Sequence, residues 1–400
     1  MKTWIFIFMA LSISLWFLCK LRTKPSQNKN SVDAIIPAYN EGACLALSLE
    51  NLLRNPYFHR VICVNDGSTD NTEEIMAEIK RKWGDRFIAV TQENTGKGGA
   101  LMNGLNYATC NQVFLSDADT FVPPNSDGIG YMLAEIERGA DAVGGIPSTA
   151  LKGAGLLPHI RATVKLPMII MKRTLQQFLG GAPFIISGSC GMFRTDVLRK
   201  FGFSDRTKVE DLDLSWTLVE NGYRIRQANR CVVYPQECNL LSDEWRRWRR
   251  WIIGYAVCMR LHKSLLFSRF GIFSIFPMVL VVIYGVVIYL ITWSNELLTV
   301  GPHGAILAIF PLFWVGVVCL IGAFNAWFHR CWLLVPLAPL SVLYVLLAYT
   351  IWIIYGFVAF FTGREPLRDK PTRYTILVES SGTNSQHTAS GNEKISESRC

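Results

Sequence analysis

Asp117 and Asp119 stand one residue apart at the end of an apolar run, Val113-Phe114-Leu115-Ser116-Asp117-Ala118-Asp119-Thr120. Alternate residues of an extended chain face the same way, so the two carboxylates can address one object. A hard divalent cation carrying phosphates suits that arrangement, because Mg2+ or Mn2+ takes carboxylate oxygens and completes its shell from substrate phosphate. For the pair taken alone, a solvated turn is the better account. Further groups add to it. Asp33 lies in the apolar segment from Val32 to Pro37, and Asp66 follows Val61-Ile62-Cys63-Val64-Asn65. Carboxylates placed on or just after early strands are common in sites that grip a nucleobase and ribose, and Asp119, with Asp117, would then hold a metal on a diphosphate. Lys97, at a helix start, either adds charge near the phosphates or base or is simply solvated. Glu210 and Asp211 open another helical pattern. Asp211 is the candidate general base for an acceptor hydroxyl, although acids at a helix N-terminus are also favoured by the dipole.

The elements that must position these groups follow from periodicity. Strand-like runs at Val32–Pro37, Val61–Asp66, Phe87–Thr91 and Val113–Ser116 alternate with helical patterns ending near Arg54, Trp83 and Ala108. Such alternation predicts a mostly parallel sheet covered on both faces. Ligands then bind at the C-terminal ends of the strands, where Asp33, Asp66, Asp117 and Asp119 are expected to converge. Ser187-Gly188-Ser189-Cys190-Gly191 is a small-residue segment that lets backbone approach a ligand closely, and Ser189, Cys190 and Glu210 are assigned to the acceptor. From Gly153 to Leu179 the pattern is amphipathic, consistent with a helix on a membrane surface or with an ordinary packed helix.

In Ser242–Trp251, Trp245, Trp248 and Trp251 recur every three residues beside Arg246, Arg247, Arg249 and Arg250. This aromatic helix face reads either as an interfacial belt with snorkelling arginines or as a ligand-binding face. In the second reading Arg247 and Arg250 meet a leaving diphosphate and Trp251 stacks on an acceptor sugar. The chain of 400 residues is 50% hydrophobic, with the apolar mass at its two ends. Residues 1–20 are predicted as a retained membrane anchor, because Lys20, Arg22, Lys24 and Lys29 follow it and no small-residue cleavage site does. Residues 21–31 form a linker, 32–241 the α/β domain and 242–270 an interfacial helix. Transmembrane helices are predicted over 271–361, a basic juxtamembrane segment over 362–378 and a disordered tail over 379–400. Pro336 and Pro339 interrupt the last apolar run, which suggests a re-entrant or interfacial turn. The net charge of +9 lies largely beside apolar segments. Anionic lipid explains it without nucleic acid, for which no basic helix or aromatic RNA-binding signature exists. The 11 cysteines are scattered without Cys-x-x-Cys spacing and read as reduced thiols.

Asp33, Asn65-Asp66-Gly67-Ser68, Asp117-Ala118-Asp119, Glu210-Asp211 and Arg247-Trp248-Arg249-Arg250-Trp251 together resemble the ordered motifs of processive family-2 glycosyltransferases. These are membrane synthases of the cellulose, chitin, hyaluronan and poly-N-acetylglucosamine type, and the resemblance spans roughly residues 31–260. Val209-Glu210-Asp211-Leu212-Asp213 is most similar to the bacterial poly-N-acetylglucosamine group. The resemblance implies a GT-A fold, a UDP-sugar donor (UDP-N-acetylglucosamine first), Mg2+ or Mn2+, inversion at the anomeric carbon and export of a growing polysaccharide. It also implies a multi-pass protein of the cell membrane with a cytoplasmic catalytic domain and a small membrane accessory subunit. The rival within reach is a non-processive transferase that adds one sugar to a lipid-linked acceptor. Two positions depart from the family pattern. Arg247 stands where Gln usually opens the motif, and Ile252-Ile253 replaces the small-residue and Gln segment that usually follows its Trp.

Overall fold

A computed structural model describes residues 24–277 except 205, and residues 316–363 except 317. The predicted anchor, most of the apolar stretches near 273–293 and 304–326, the segment after Gly363 and the tail lie outside the described residues. The chain begins with β1 (Val32–Ala38), α1 (Leu45–Arg54), β2 (Phe58–Asp66), α2 (Thr72–Trp83), β3 (Phe87–Gln92) and α3 (Gly96–Leu105). It continues through β4 (Gln112–Leu115), the short β5 (Thr120–Phe121), α4 (Gly128–Glu137), β6 (Ala142–Pro147) and the long α5 (Leu156–Gly180). Then come β7 (Gly191–Arg194), α6 (Thr195–Phe201), α7 (Glu210–Glu220), β8 (Ile225–Pro235), α8 (Leu241–Leu261) and α9 (Lys263–Leu266).

These strands form one mixed, mostly parallel sheet in the order β3-β2-β1-β4-β7-β6-β8-β5. β1 is parallel to both β2 and β4, whereas β7 is antiparallel to β4 and β6. Successive residues of β1 enter different layers: Ala34 and Ile36 pack with α1 residues Leu45 and Leu49, while Ile35 packs with Leu101 and Leu105 of α3. A strand apolar on both faces must be covered on both, which is why β1 reads as a continuous apolar run. The order β3-β2-β1-β4 makes the chain cross over between β1 and β4. By the rule for open α/β sheets, the ligand crevice lies outside the C-terminal ends of those two strands at that switch point.

Strand direction overturns the predicted place of Asp33. Asp33 is the second residue of β1 and pairs in register with Val113, at the start of β4. The crevice is at the other end, roughly 17 Å along the strand at about 3.3 Å per residue. The fully buried carboxylate accepts the backbone N–H groups of Thr109 and Cys110 at 2.6 and 2.8 Å, and lies 3.3 Å from His59 Nδ1. Asp33 therefore anchors the α3–β4 connection rather than gripping a nucleotide. Asp33, His59 and Cys110 do bring ligand atoms within 4.8 Å of one another, but the two backbone amides already account for Asp33.

The amphipathic α5 is packed against the domain. Its Arg161 and Arg173 are buried, and Arg173 donates to the Gly145 carbonyl at 3.1 Å. Among the described residues no helix is long and apolar enough to cross a membrane. The apolar run after residue 332 is interrupted at its prolines: a helical turn, Leu334–Leu337, passes through a 3-10 turn, Ala338–Leu340, before Ser341–Ile351. Cys44, Cys63, Cys110, Cys190, Cys231, Cys238, Cys258 and Cys319 are free thiols, as expected, but Cys331 is disulfide-bonded.

Because its carboxylate satisfies two backbone amides, Asp33→Ala should destabilise the fold by roughly 1–3 kcal/mol. Thermal unfolding should show the loss, while nucleotide affinity of the folded fraction stays unchanged. A weakened nucleotide Kd at full stability would restore Asp33 to the site.

Candidate active site

Three chain segments leave the C-terminal edge at the crevice. After β1, Asn40 takes a left-handed backbone (φ 51°), which asparagine tolerates better than most residues. Its side-chain oxygen accepts the Thr69 N–H at 2.7 Å, and its own N–H donates to Ser68 Oγ at 2.9 Å. The turns after β1 and β2 thus hold each other, with Glu41 buried between them. At the end of β2, Asp66 accepts from Thr95 N at 2.8 Å and Gln92 Nε2 at 2.9 Å, and Gly67 reverses the chain at φ 73°. After β4 come Asp117, half-buried, Ala118, buried, and Asp119, half-buried. The turn there, closed by the Thr120 N–H on the Asp117 carbonyl at 3.1 Å, sets both residues just beyond the C-terminal end of β4. The buried Glu41 carboxylate, which lies 3.4 Å from Cys44 Sγ in the turn after β1, was not anticipated from the sequence.

The fourth contributor is the start of α7. Lys97 Nζ lies 2.5 Å from Asp117 Oδ1 and 3.6 Å from Glu210 Oε1. Lys97 is therefore the cation that joins the β4 turn to α7, not a solvated lysine. Asp211 Oδ2 accepts the Gly188 N–H at 2.9 Å, and its Oδ1 faces the Leu212 N–H at 2.9 Å. Burial and the neighbouring Glu210 charge push the Asp211 carboxyl above its ordinary range, while Lys97 and the Gly188 amide pull against them. A carboxylate raised in this way is a better proton acceptor near neutral pH than a free one. The Asp117–Asp119 pair offers only hard oxygen donors on one side of the turn, which fits Mg2+ or Mn2+.

α8 contributes differently from the sequence expectation. Arg247 is held by Glu237 at 2.5 Å and by Glu244. Arg161 and Lys165 of α5 join the same buried network through Glu237. Burial works to raise the Glu237 carboxyl, but these two cations outweigh it and hold it below its ordinary range. Arg247 is thus a structural cation here and not a diphosphate ligand. Arg250 lies one turn before Gly254, where a Cβ would come within 2.4 Å of Val209, the residue preceding Glu210. That close approach sets the Arg250 face of α8 beside the start of α7. The guanidinium groups of Arg161 and Arg247 lie 5.4 and 5.3 Å from the Trp251 ring centre, and Trp248 meets the indole edge-on at 5.8 Å.

Ser189 is buried, 3.1 Å from Ser187 Oγ, and Cys190 turns its thiol into the core, 3.7 Å from Cys231 Sγ. The Cys190 side chain therefore cannot meet an acceptor, and what the segment presents to the crevice is backbone at Gly188. The structure brings together Lys97, Asp117, Glu210 and Asp211, with Asp66 and Asp119 at the C-terminal ends of β2 and β4 and Arg250 on the adjoining helix. It separates Asp33, Arg247 and Cys190 from them.

Residues 33–202 match the family described as "Glycosyl transferase family 2". The chain is 82% identical over 397 residues to the uncharacterized glycosyltransferase YaiP of Escherichia coli (strain K12), covering 99% of this chain and 100% of that protein. It is 31% identical over 241 residues to the poly-beta-1,6-N-acetyl-D-glucosamine synthase of Staphylococcus aureus (strain COL), covering 58% of this chain and 57% of the synthase. Among solved structures, it is similar to a mannosyltransferase from Pyrobaculum calidifontis in complex with GDP-Man and Mn2+. That likeness has a TM-score of 0.51 at 17% identity over 90% of this chain and 97% of the other, and establishes a GT-A-like fold.

The charges around Asp211 set the direction of its pH dependence. Turnover should fall as the pH drops through the raised pKa of Asp211, which must be ionised to accept a proton. Lys97→Met removes an attraction that lowers that pKa, so the acid limb should move to higher pH. Glu210→Gln removes a repulsion that raises it, so the limb should move to lower pH. Profiles of kcat/KM against pH read both shifts, and a limb that stays fixed in both variants would remove Asp211 from the base role.

Proposed function

The chain belongs to glycosyltransferase family 2, and from that premise we propose that it is a membrane-embedded, processive, inverting hexosaminyltransferase. It would polymerise a UDP-sugar, with UDP-N-acetylglucosamine the first candidate, into an exported polysaccharide. The observation that carries this reading is the convergence of Lys97, paired with Asp117 and Glu210, on the Asp211 carboxylate held by Gly188 N–H and electrostatically coupled to all three. The similarity to the S. aureus synthase supports the choice of donor. The amphipathic and apolar C-terminal half supports placement in the cell membrane, with the catalytic domain on the cytoplasmic side. A small accessory subunit belongs to the same proposal.

The acceptor hydroxyl gives its proton to Asp211 while its oxygen attacks the anomeric carbon of the donor. The bond from that carbon to the diphosphate oxygen breaks, and the configuration inverts because attack comes from the opposite face. Gly188 N–H and the helix start hold the Asp211 carboxylate in one orientation throughout. Asp66 and the turn holding Glu41 border the nucleoside end of the crevice, and Arg250 offers a guanidinium to the departing UDP. Asp117 and Asp119 would hold the divalent metal, which supplies charge neutralisation on the diphosphate. Most of the acceleration is then electrostatic. Trp251, on the same helix as Arg250, is the aromatic residue proposed to pack against the acceptor sugar.

The full chain, purified in nanodiscs with Mg2+ or Mn2+, should be offered UDP-N-acetylglucosamine, UDP-glucose, UDP-glucuronate and GDP-mannose separately. UDP release with long products is expected from the first, and Asp211→Asn should reduce it by about 10²–10⁴-fold. Transfer of a single sugar to an added lipid acceptor would overturn the processive part of the reading. Turnover of another donor alone would overturn the sugar.

A further inference from the structure

On the side of α7 away from the crevice, a second polar cluster ties that helix to the end of α8. His262, the residue that caps α8, is 1% exposed and presents a ring nitrogen to a carboxylate on each side. Its Nε2 lies 2.8 Å from Asp213 Oδ1 and its Nδ1 2.8 Å from Glu220 Oε2. Arg206 closes the cluster from the preceding loop, with Nε at 3.0 Å and Nη2 at 2.8 Å from the Asp213 carboxylate. Ser264 donates to Glu220. The ring edge also packs against Trp216, at 5.8 Å between centroids.

Helical spacing gives this cluster a consequence for the crevice. Asp213 and Glu220 are seven residues apart, close to two full turns, and so share one face of α7. Asp211 and Asp213 are two residues apart, about 200° around the helix. A grip on Asp213 and Glu220 therefore resists rotation of α7 about its own axis, and that rotation is what would swing Asp211. A carboxylate roughly 6 Å from the axis moves about 1 Å for a turn of about 10°. Misplacement by about 1 Å can cost on the order of 10²-fold in rate. The partner in the grip is α8, which also carries Arg250 and Trp251. One ring thus fixes the base-bearing helix to the helix proposed to meet the leaving group and acceptor.

We propose that His262, acting through Asp213 and Glu220, is a positioning residue that sets the rotation of α7 and so aims Asp211 at the acceptor. The proposal rests on the reading of Asp211 as the base. Its geometric part does not, because Gly188 N–H reports where the Asp211 carboxylate points without any substrate. Amide exchange of the full chain in detergent should be compared between wild type, His262→Gln and Asp213→Asn. In both variants the Gly188 amide should exchange about tenfold faster or more, since its bond to a carboxylate is lost. The interior amides of α7 should keep their protection, and kcat should fall about tenfold or more at unchanged donor KM. Should either variant fail to fold, Glu220→Gln removes one arm of the grip alone and is read in the same way.

Unchanged exchange at Gly188 would overturn the proposal, whatever the turnover. Equal acceleration along the whole of α7 would also overturn it, by making the cluster a general stabiliser. Faster exchange at Gly188 with full turnover would show that Asp211 is aimed by His262 but is not the base. In that case the catalytic reading fails and the grip remains.

Discussion

Negative charge gathered at one edge of a sheet is the constraint on which the rest of this structure depends. Asp117, Asp119, Glu210 and Asp211 come from two places far apart in the chain, and carboxylates this close repel strongly once water is excluded. Lys97 is the resident answer. Its ammonium sits between the β4 turn and the start of α7, within 2.5 Å of Asp117 and 3.6 Å of Glu210. Burial and the neighbouring Glu210 charge raise the Asp211 carboxyl. Under the proposed function the two halves of the cluster take separate tasks, a base at Asp211 and a hard cation at Asp117 and Asp119.

The parts of this arrangement that were legible in the sequence are those fixed by local pattern. Apolar runs ending in Asp66 and in Asp117-Ala118-Asp119 sit at the ends of β2 and β4, where a parallel sheet places its ligands. The helix opened by Glu210 and the one rich in Trp and Arg also appear within a few residues of expectation. Asp33 failed for a reason of direction. An acid at the beginning of a parallel strand is carried to the edge opposite one at its end, and the apolar run around it says nothing about which end matters.

Arg247 and Cys190 failed for a different reason. Their fate is set by partners distant in the chain. Arg247 spacing on α8 fits a ligand-binding role, but Glu237 at the end of β8 and Glu244 on α8 claim its guanidinium, and Arg161 and Lys165 of α5 share Glu237. Removing any one member of such a buried network would leave a charge without its partner, a cost of several kcal/mol. Cys190 follows the Gly188 turn that receives Asp211, yet just before β7 its thiol is turned to Cys231 in the core. No local pattern reports either outcome.

α8 is where the structural and chemical roles become inseparable. Its first turns are pinned to the buried Glu237 network, its middle approaches Val209 so closely that only glycine fits at position 254, and its capping residue His262 meets α7. A helix held at three points along 21 residues has little freedom to tilt or rotate. Such rigidity is costly to assemble, since it buries charges and excludes a side chain at Gly254. It is also what catalysis by preorganised charge requires, because groups that must move into place during reaction lose the advantage. The Ile252-Ile253 departure from the family pattern falls on the packed side of this helix, where both side chains are buried. That departure therefore bears on how α8 is seated and not on what it presents to the crevice.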